Sequence, residues 1–488
     1  MKRSPPRLPT INVRRTEMRL FPDQSRVVLR PMRFGSDEEY LRIIRRTLAL
    51  PEADVRRTLD HVLAEFSSRH RRLTERFLER FCRLEHFLPP GGGLSEARKL
   101  LIGSYFLFEY SAESAALFNP SILPHPDQSG LPKGSLRFLL SLRSTGEGHI
   151  SSIVFRRGVI TKDHRIIIEA DPQLRRPLKI MENRTYQKEE YSLKLKEMEG
   201  ANPLADIVLD RLGAKFTSEE LSHAINAMAE PLNGDAAVQE TAEDMLSLAR
   251  ANYEIILPKS VNISAAVIFP HSENESRGLE DLRLVRFKED DETHVLYGTY
   301  TAYNGFHILP PLLEARQGSN IAVHTLAGSF AKNKGMALFP RKVGGQYMMS
   351  GRIDNENLFI MKSDSVMVWN HAQMVQTPRF PWELMQLGNC GSPIETKEGW
   401  LLLTHGVGPM RQYCVGAVLL DLDDPTKVIR QTREPLMMPQ GKERSGYVPN
   451  VVYSCGAMIH NEVLVIPYAM SDTSSGFATI PSEAIFQA

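Results

Sequence analysis

Five short segments of one shape, each a hydrophobic or aromatic run ending in polar residues, constrain this chain more than any other feature. They fall at 136–143, 293–300, 346–352, 399–405 and 462–468. Runs of this length and composition read as strands. The last four recur at a spacing of roughly 50–65 residues, close to one four-stranded propeller blade. The first gap is much longer and demands an insertion, which residues 186–252 supply with a helical pattern. Within it Thr217-Ser218-Glu219-Glu220 forms a capping box, with Phe216 and Leu221 placed as a hydrophobic staple. The even spacing favours blades over unrelated strands. The expected fold is therefore all-β, a five-bladed β-propeller over 111–488 with a helical insertion at about 186–252.

The first 110 residues read differently. Residues 1–34 are Arg-rich and extended, with a short strand or arm at 29–34. From 37 to 88 apolar residues return at three- and four-residue steps: Leu59, Val62, Leu63 and Phe66, then Leu73, Phe77 and Phe81. Pro89-Pro90-Gly91-Gly92-Gly93 stops that pattern, and 94–110 predicts another helix. Residues 1–110 are thus expected to be a mostly helical N-terminal extension. It is expected either to mediate self-association, giving a homo-oligomer, or to cap one propeller face and narrow the site.

Charge and cysteine usage exclude several classes. The formal net charge of +1 does not suit a nucleic-acid binder. Residues 1–100 hold 22 Lys+Arg against 13 Asp+Glu, a basic face expected to dock on the more acidic remainder. The four cysteines have no CxxC spacing, so neither a disulfide framework nor a zinc site is expected. No apolar stretch follows the basic start and no run of about 18 apolar residues occurs, so no leader, membrane partner or membrane span is expected and the default location is cytoplasmic. There is no glycine-rich phosphate loop and no metal-ligand spacing. No metal or organic cofactor is expected.

Chemistry concentrates at Gly278-Leu279-Glu280-Asp281-Leu282-Arg283, where two carboxylates and an arginine join a polar loop to an apolar run. Such a group suits gripping sugar hydroxyls and delivering a proton to a glycosidic oxygen. In a propeller the ends of the core strands converge on a central channel. That would gather Arg143, Asp281 with Arg283, Arg352, His405 and Asp472, a mixture suited to a hydroxyl-rich ligand, phosphorylated or not. Trp400 and Phe339 read as core, and Cys390 and Cys414 as buried apolar residues.

Seven ordered motifs then bring a resemblance into view: Phe118-Asn119-Pro120; the hexapeptide 278–283; Asn333-Lys334-Gly335-Met336-Ala337-Leu338-Phe339-Pro340; Ser392-Pro393-Ile394-Glu395-Thr396-Lys397-Glu398-Gly399-Trp400-Leu401; His405-Gly406; Leu419-Leu420-Asp421-Leu422-Asp423-Asp424-Pro425; and Ser471-Asp472-Thr473. Over roughly 114–488 the chain resembles glycoside hydrolase family 130, the β-mannoside phosphorylases and β-mannosidases, whose fold is a five-bladed propeller. The resemblance implies inversion at a mannosyl centre. Asp281 matches the catalytic acid, which acts through a sugar hydroxyl. Inorganic phosphate is then a co-substrate that attacks the anomeric carbon and gives mannose 1-phosphate. Lys334 and Arg352 match phosphate-binding positions, with His405 and Arg411 completing a cationic cluster. Asn119, Arg143 and Asp472 match sugar-contacting positions, and Glu280 and Arg283 flank the acid as further substrate-binding residues.

Two departures bear on the reaction. Leu282 stands where the family has proline, and Glu395 lies where phosphorylases commonly place a lysine. A carboxylate there would repel phosphate and could serve as a general base on water. The expected activity is an inverting phosphorylase on β-mannosides. The alternatives are an inverting β-mannosidase with Glu395 as base and a non-catalytic carbohydrate-binding propeller.

Overall fold

The computed structural model describes residues 13–486, apart from 90–92, 171–175, 182–184, 198–201, 230–235, 259–262, 305–307 and 317–319. Among them the chain is mostly β, with two groups of helices. Each of the five repeated segments forms the second strand of a different sheet: Leu136–Thr145, His294–Tyr303, Tyr347–Arg352, Trp400–Gly408 and Val463–Met470.

In each sheet that strand pairs antiparallel with a preceding strand. These first strands are Ala116–Pro124, Leu279–Lys288, Lys334–Leu338, Gln386–Asn389 and Val452–Tyr453. Neighbouring sheets touch through these strands. The first contacts the second, the second the third, and so on to the fifth, which packs back on Ala116–Pro124. Arg14–Leu20 adds an antiparallel edge strand to the fifth sheet, beside Ser474–Pro481. The two ends of the chain therefore share one sheet, and the expected boundary near residue 110 is crossed by this strand.

The core is made where the sheets face each other. Trp400 and Phe339 are fully buried and meet edge to face at 5.1 Å, which makes them core and not sugar platforms. Leu282 is buried among Leu279, Leu284 and Tyr300. Cys390, Cys414 and Cys455 are buried, Cys82 is exposed, and all four thiols are free.

The N-terminal pattern resolves into four helices, α1 (Asp37–Leu48), α2 (Glu52–Phe66), α3 (Leu73–Cys82) and α4 (Glu96–Tyr105). Pro51 stands immediately before α2 and separates it from α1, because it cannot continue the ladder of helical N–H donors. The break after α3 comes at Cys82, before the Pro-Gly run, of which 90–92 lie outside the described residues. The helix expected over 94–110 ends at Tyr105. Beyond it Leu107–Ser111 pairs with Val27–Pro31, the arm read from the sequence.

The insertion holds α5 (Lys188–Glu197), α6 (Pro203–Asp210), α7 (Ser218–Ala229) and α8 (Ala236–Arg250) around a core of its own. The capping box forms as expected. The Thr217 N–H donates to Glu220 Oε2 at 2.8 Å, and the Glu220 N–H donates to Thr217 Oγ1 at 3.2 Å. Phe216 and Leu221 are buried beside it. No helix among the described residues is long and apolar enough to cross a membrane.

Candidate active site

Three of the first strands are interrupted at the same end, and the interruptions place the functional side chains. The register slips between Phe118 and Ser121, between Glu280 and Arg283, and between Lys334 and Ala337. A bulge re-aims the side chain that it carries. Asn119 (φ 48°) and Asp281 (φ 58°) both sit in left-handed backbone at these slips. A left-handed non-glycine residue costs about 1 kcal/mol or more and persists where the surroundings hold it. Gly278 (φ 125°) allows the approach: a Cβ there would come within 2.9 Å of Ser151.

Asp281 is held from three sides. The Asn119 amide donates to Asp281 Oδ1 at 2.6 Å, and Arg143 Nη1 lies 3.7 Å from the same oxygen. Arg283 Nη1 donates to the Asp281 carbonyl at 3.0 Å, while its Nη2 donates to the Tyr453 hydroxyl at 2.7 Å. Glu280 bridges two cations, accepting from Arg143 Nη2 and Lys334 Nζ, both at 2.8 Å. Arg143 is fixed in turn by Ser151 Oγ at 2.9 Å and lies over the Phe118 ring. Burial alone would raise the pKa of Asp281. The charges of Arg143, Arg283 and Lys334, with the Asn119 hydrogen bond, outweigh it and hold the carboxyl below its ordinary range.

Asp472 has the opposite balance. Its burial and the negative charge of Asp281 push it up to about 6, against the pull of Arg143 and Arg411. The two carboxyls facing the site are thus driven apart in the free protein, with Asp281 ionised and Asp472 holding its proton to higher pH.

Lys334 stands directly across from Arg352 in the third sheet. Arg352 Nη1 faces His405 Nε2 at 3.4 Å, and Gln386 Nε2 approaches the same nitrogen at 3.3 Å. His405 Nδ1 lies 3.2 Å from the Asn389 carbonyl, which can only accept, so the ring proton is on Nδ1 and Nε2 is an acceptor. Burial, then Arg352 and Arg283, hold His405 well below its ordinary range. His405 is consequently a neutral residue that orients Arg352. It adds no charge to the expected cationic cluster, because a buried imidazolium beside two guanidiniums would be repelled. Arg411 is exposed on the turn that follows Trp400–Gly408, its guanidinium 5.5 Å from the Tyr413 ring centroid. Asn119 Oδ1, Arg352 Nε and Asn389 Oδ1 are buried with no protein partner.

Ten of the eleven residues singled out from the sequence converge here; Glu395 does not. It pairs with Trp400 at the opposite end of the strand that carries His405. Five extended residues separate those ends, about 16 Å. There Glu395 binds Arg341 through both oxygens, at 2.7 and 3.0 Å. A carboxylate so placed and so paired cannot be a general base for water at Asp281. The sequence reading also missed Tyr453, Ser151, Gln386 and Asn389. None stands in a run of unusual charge, and Tyr453 ends an apolar stretch that reads simply as strand.

The family described as beta-1,4-mannooligosaccharide phosphorylase matches residues 240–488. The chain is 33% identical over 229 residues to the 1,2-beta-oligomannan phosphorylase of Thermoanaerobacter sp. (strain X514), a span of 46% of this chain and 75% of that protein. It is 30% identical over 215 residues to the beta-1,2-mannobiose phosphorylase of Listeria innocua, covering 42% of this chain and 59% of the relative. The solved structure of the beta-1,2-mannobiose phosphorylase from Listeria innocua with beta-1,2-mannobiose aligns over 77% of this chain and 92% of that one, at 19% identity and a TM-score of 0.45. The family match takes in Asp281, Lys334, Arg352, His405 and Asp472, while Asn119 and Arg143 precede it and join the site through the fold. The chain belongs to glycoside hydrolase family 130.

Proposed function

We propose that this protein is an inverting glycoside phosphorylase that cleaves β-mannosides with inorganic phosphate and releases mannose 1-phosphate. The observation that carries the reading is the placement of Lys334 opposite Arg352 at the edge of the Asp281 cluster. Two like charges across a strand pair repel each other, and Glu280 engages only Lys334 of the two. A phosphate bound between them would relieve that repulsion and make charge-assisted hydrogen bonds to both.

In the proposed reaction a phosphate oxygen attacks the anomeric carbon from the face opposite the leaving group. The C1–O bond breaks, and the departing oxygen takes a proton from a sugar hydroxyl that Asp281 resupplies; phosphate bound beside Lys334 offsets the cations that keep Asp281 ionised in the free protein, so the carboxyl takes up its proton in the complex. Asn119 and Arg143 orient Asp281, and Asp472 and Arg411 meet the sugar at the mouth. Phosphate is already anionic, so no base is required. The mannosidase alternative loses its support with Glu395, which pairs with Trp400 at the far end of the neighbouring strand that carries His405. The cyclic contacts of five sheets, with the first and last sharing an interface, support a five-bladed propeller whose axis passes Asp281.

The test is incubation with β-1,2- and β-1,4-mannobiose, with and without phosphate. Phosphate-dependent appearance of mannose 1-phosphate is expected. Equal turnover without phosphate would reject the proposal.

A further inference from the structure

Four donors converge on the carboxylate of Glu275, which lies buried six residues before Asp281. Its Oε2 accepts from the His271 and Ser272 N–H groups at 2.8 and 3.0 Å. Its Oε1 accepts from two buried phenols, Tyr253 at 2.9 Å and Tyr300 at 2.6 Å. Burial, and then the charge of Glu275, push both phenols well above their ordinary range, so each keeps the proton that it donates. Capping the single turn Glu273–Glu275 requires only the Oε2 bonds. The two phenols are a separate arrangement.

Tyr300 has a particular place in the second sheet. Glu280 pairs with Thr301 and Arg283 with Thr299, so Asp281 and Leu282 together stand against Tyr300 alone. Two residues facing one make a bulge, and Tyr300 is the residue across from the left-handed backbone of Asp281. Its hydroxyl reaches Glu275, whose own carbonyl accepts from the Gly278 N–H at 2.7 Å. The loop that feeds the strand is therefore tied to the residue opposite the bulge. Without that tie the ladder that runs from Lys288 back to Arg283 would continue in step. Leu282 would then face Tyr300, and Asp281 would take Glu280's place opposite Thr301. A slip of one residue exchanges the faces of a strand, so the carboxyl would leave Asn119 and Arg143. Tyr253 binds the same oxygen of Glu275, but its strand pairs with Ile321–Thr325 and with neither strand of the bulge.

We infer that Glu275 and Tyr300 are positioning residues that lock the bulge in register and so hold Asp281 at the site. The lock acts on Asp281 and spares the pair Lys334 and Arg352, which belongs to the third sheet. Its bearing on catalysis rests on the reading of Asp281 as the proton source, while the lock itself has a readout that requires no reaction.

The experiment compares hydrogen exchange over residues 279–288, read by mass spectrometry on the intact protein, in wild type, Tyr300→Phe and Tyr253→Phe. Phenylalanine keeps each ring and removes one bond to the same oxygen. Tyr300→Phe should exchange several-fold faster over 279–283. Its kcat for mannose 1-phosphate formation should fall at least about tenfold, with the KM for phosphate within about twofold. Tyr253→Phe should stay within about twofold of wild type in all three measurements. Glu275→Gln keeps the volume of the side chain and should repeat the Tyr300→Phe pattern, which provides the test if Tyr300→Phe does not fold. Equal effects of the two phenylalanine variants, or a Tyr300→Phe protein that matches wild type, would overturn the lock. If wild type forms no mannose 1-phosphate, the proposed reaction is rejected and the exchange comparison alone decides the lock.

Discussion

Glu280 and Lys334 meet at 2.8 Å across the interface of the second and third sheets, and this contact compensates one of two facing cations while Arg352 keeps its charge for a ligand. Lys334 and Arg352 are both only partly exposed, so an anion bound between them is less screened than one at the open surface. Phosphate should therefore stabilise the folded protein. At a phosphate concentration about 100 times its dissociation constant the gain is about 2.7 kcal/mol. Thermal melts in phosphate against chloride at equal ionic strength check this, and Arg352→Ala should lose most of the difference.

On the proposed reading His405 acts on phosphate through Arg352 and not by its own charge. Replacing it with phenylalanine removes the acceptor at Nε2. The KM for phosphate should rise several-fold, with a smaller change in the KM for mannoside. Because its pKa is depressed when folded, the neutral ring contributes stability that is fully present above the unfolded value near 6.5 and is lost as pH falls towards the folded value. His405→Phe should flatten that acid-side loss, which melts between pH 5 and 7.5 will reveal.

Asp472 works with the opposite sign. Its carboxyl is raised to about 6 when folded, so the folded state holds the proton more tightly than the unfolded chain. Stability contributed by the protonated form is complete below about 4 and declines as pH rises to about 6. The full cost of ionisation is about 3 kcal/mol at neutral pH. Asp472→Asn should raise the melting temperature at pH 8 more than at pH 5, and should lower kcat/KM by removing a sugar acceptor. A melting temperature that responds equally at both values would contradict the burial argument.

Glu395→Gln should leave the rate and its phosphate dependence within about twofold, since the change breaks only a partly exposed pair with Arg341, worth roughly 0–1 kcal/mol. A large loss of activity would place Glu395 in the chemistry after all.

Much of this was legible in the sequence because the repeat marks sheets. The second strand of each of the five larger sheets was visible as an apolar run, the last four at regular spacing, and the polar residues that end most of those runs do converge. The first strands were harder to read. Gln386–Asn389 and Val452–Tyr453 are too short to show a period. The slips that aim Asn119 and Asp281 depend on pairing with distant strands, and no local signal records them. Glu395 misled because a motif fixes order along the chain and not which end of a strand a residue occupies. The arm at 14–20 gave no sign that it would complete the last sheet, since its partner lies more than 450 residues away.

In the proposed reaction cleavage depends on a proton that Asp281 passes through a sugar hydroxyl to the leaving oxygen. The most direct test is the initial rate of mannose 1-phosphate formation, followed by phosphorus NMR at saturating phosphate, in wild type and Asp281→Asn, with mannoside affinity measured on both. The rate should fall by about 10³-fold or more while affinity changes little. A variant that keeps its rate within tenfold would rule out Asp281 as the source of the proton.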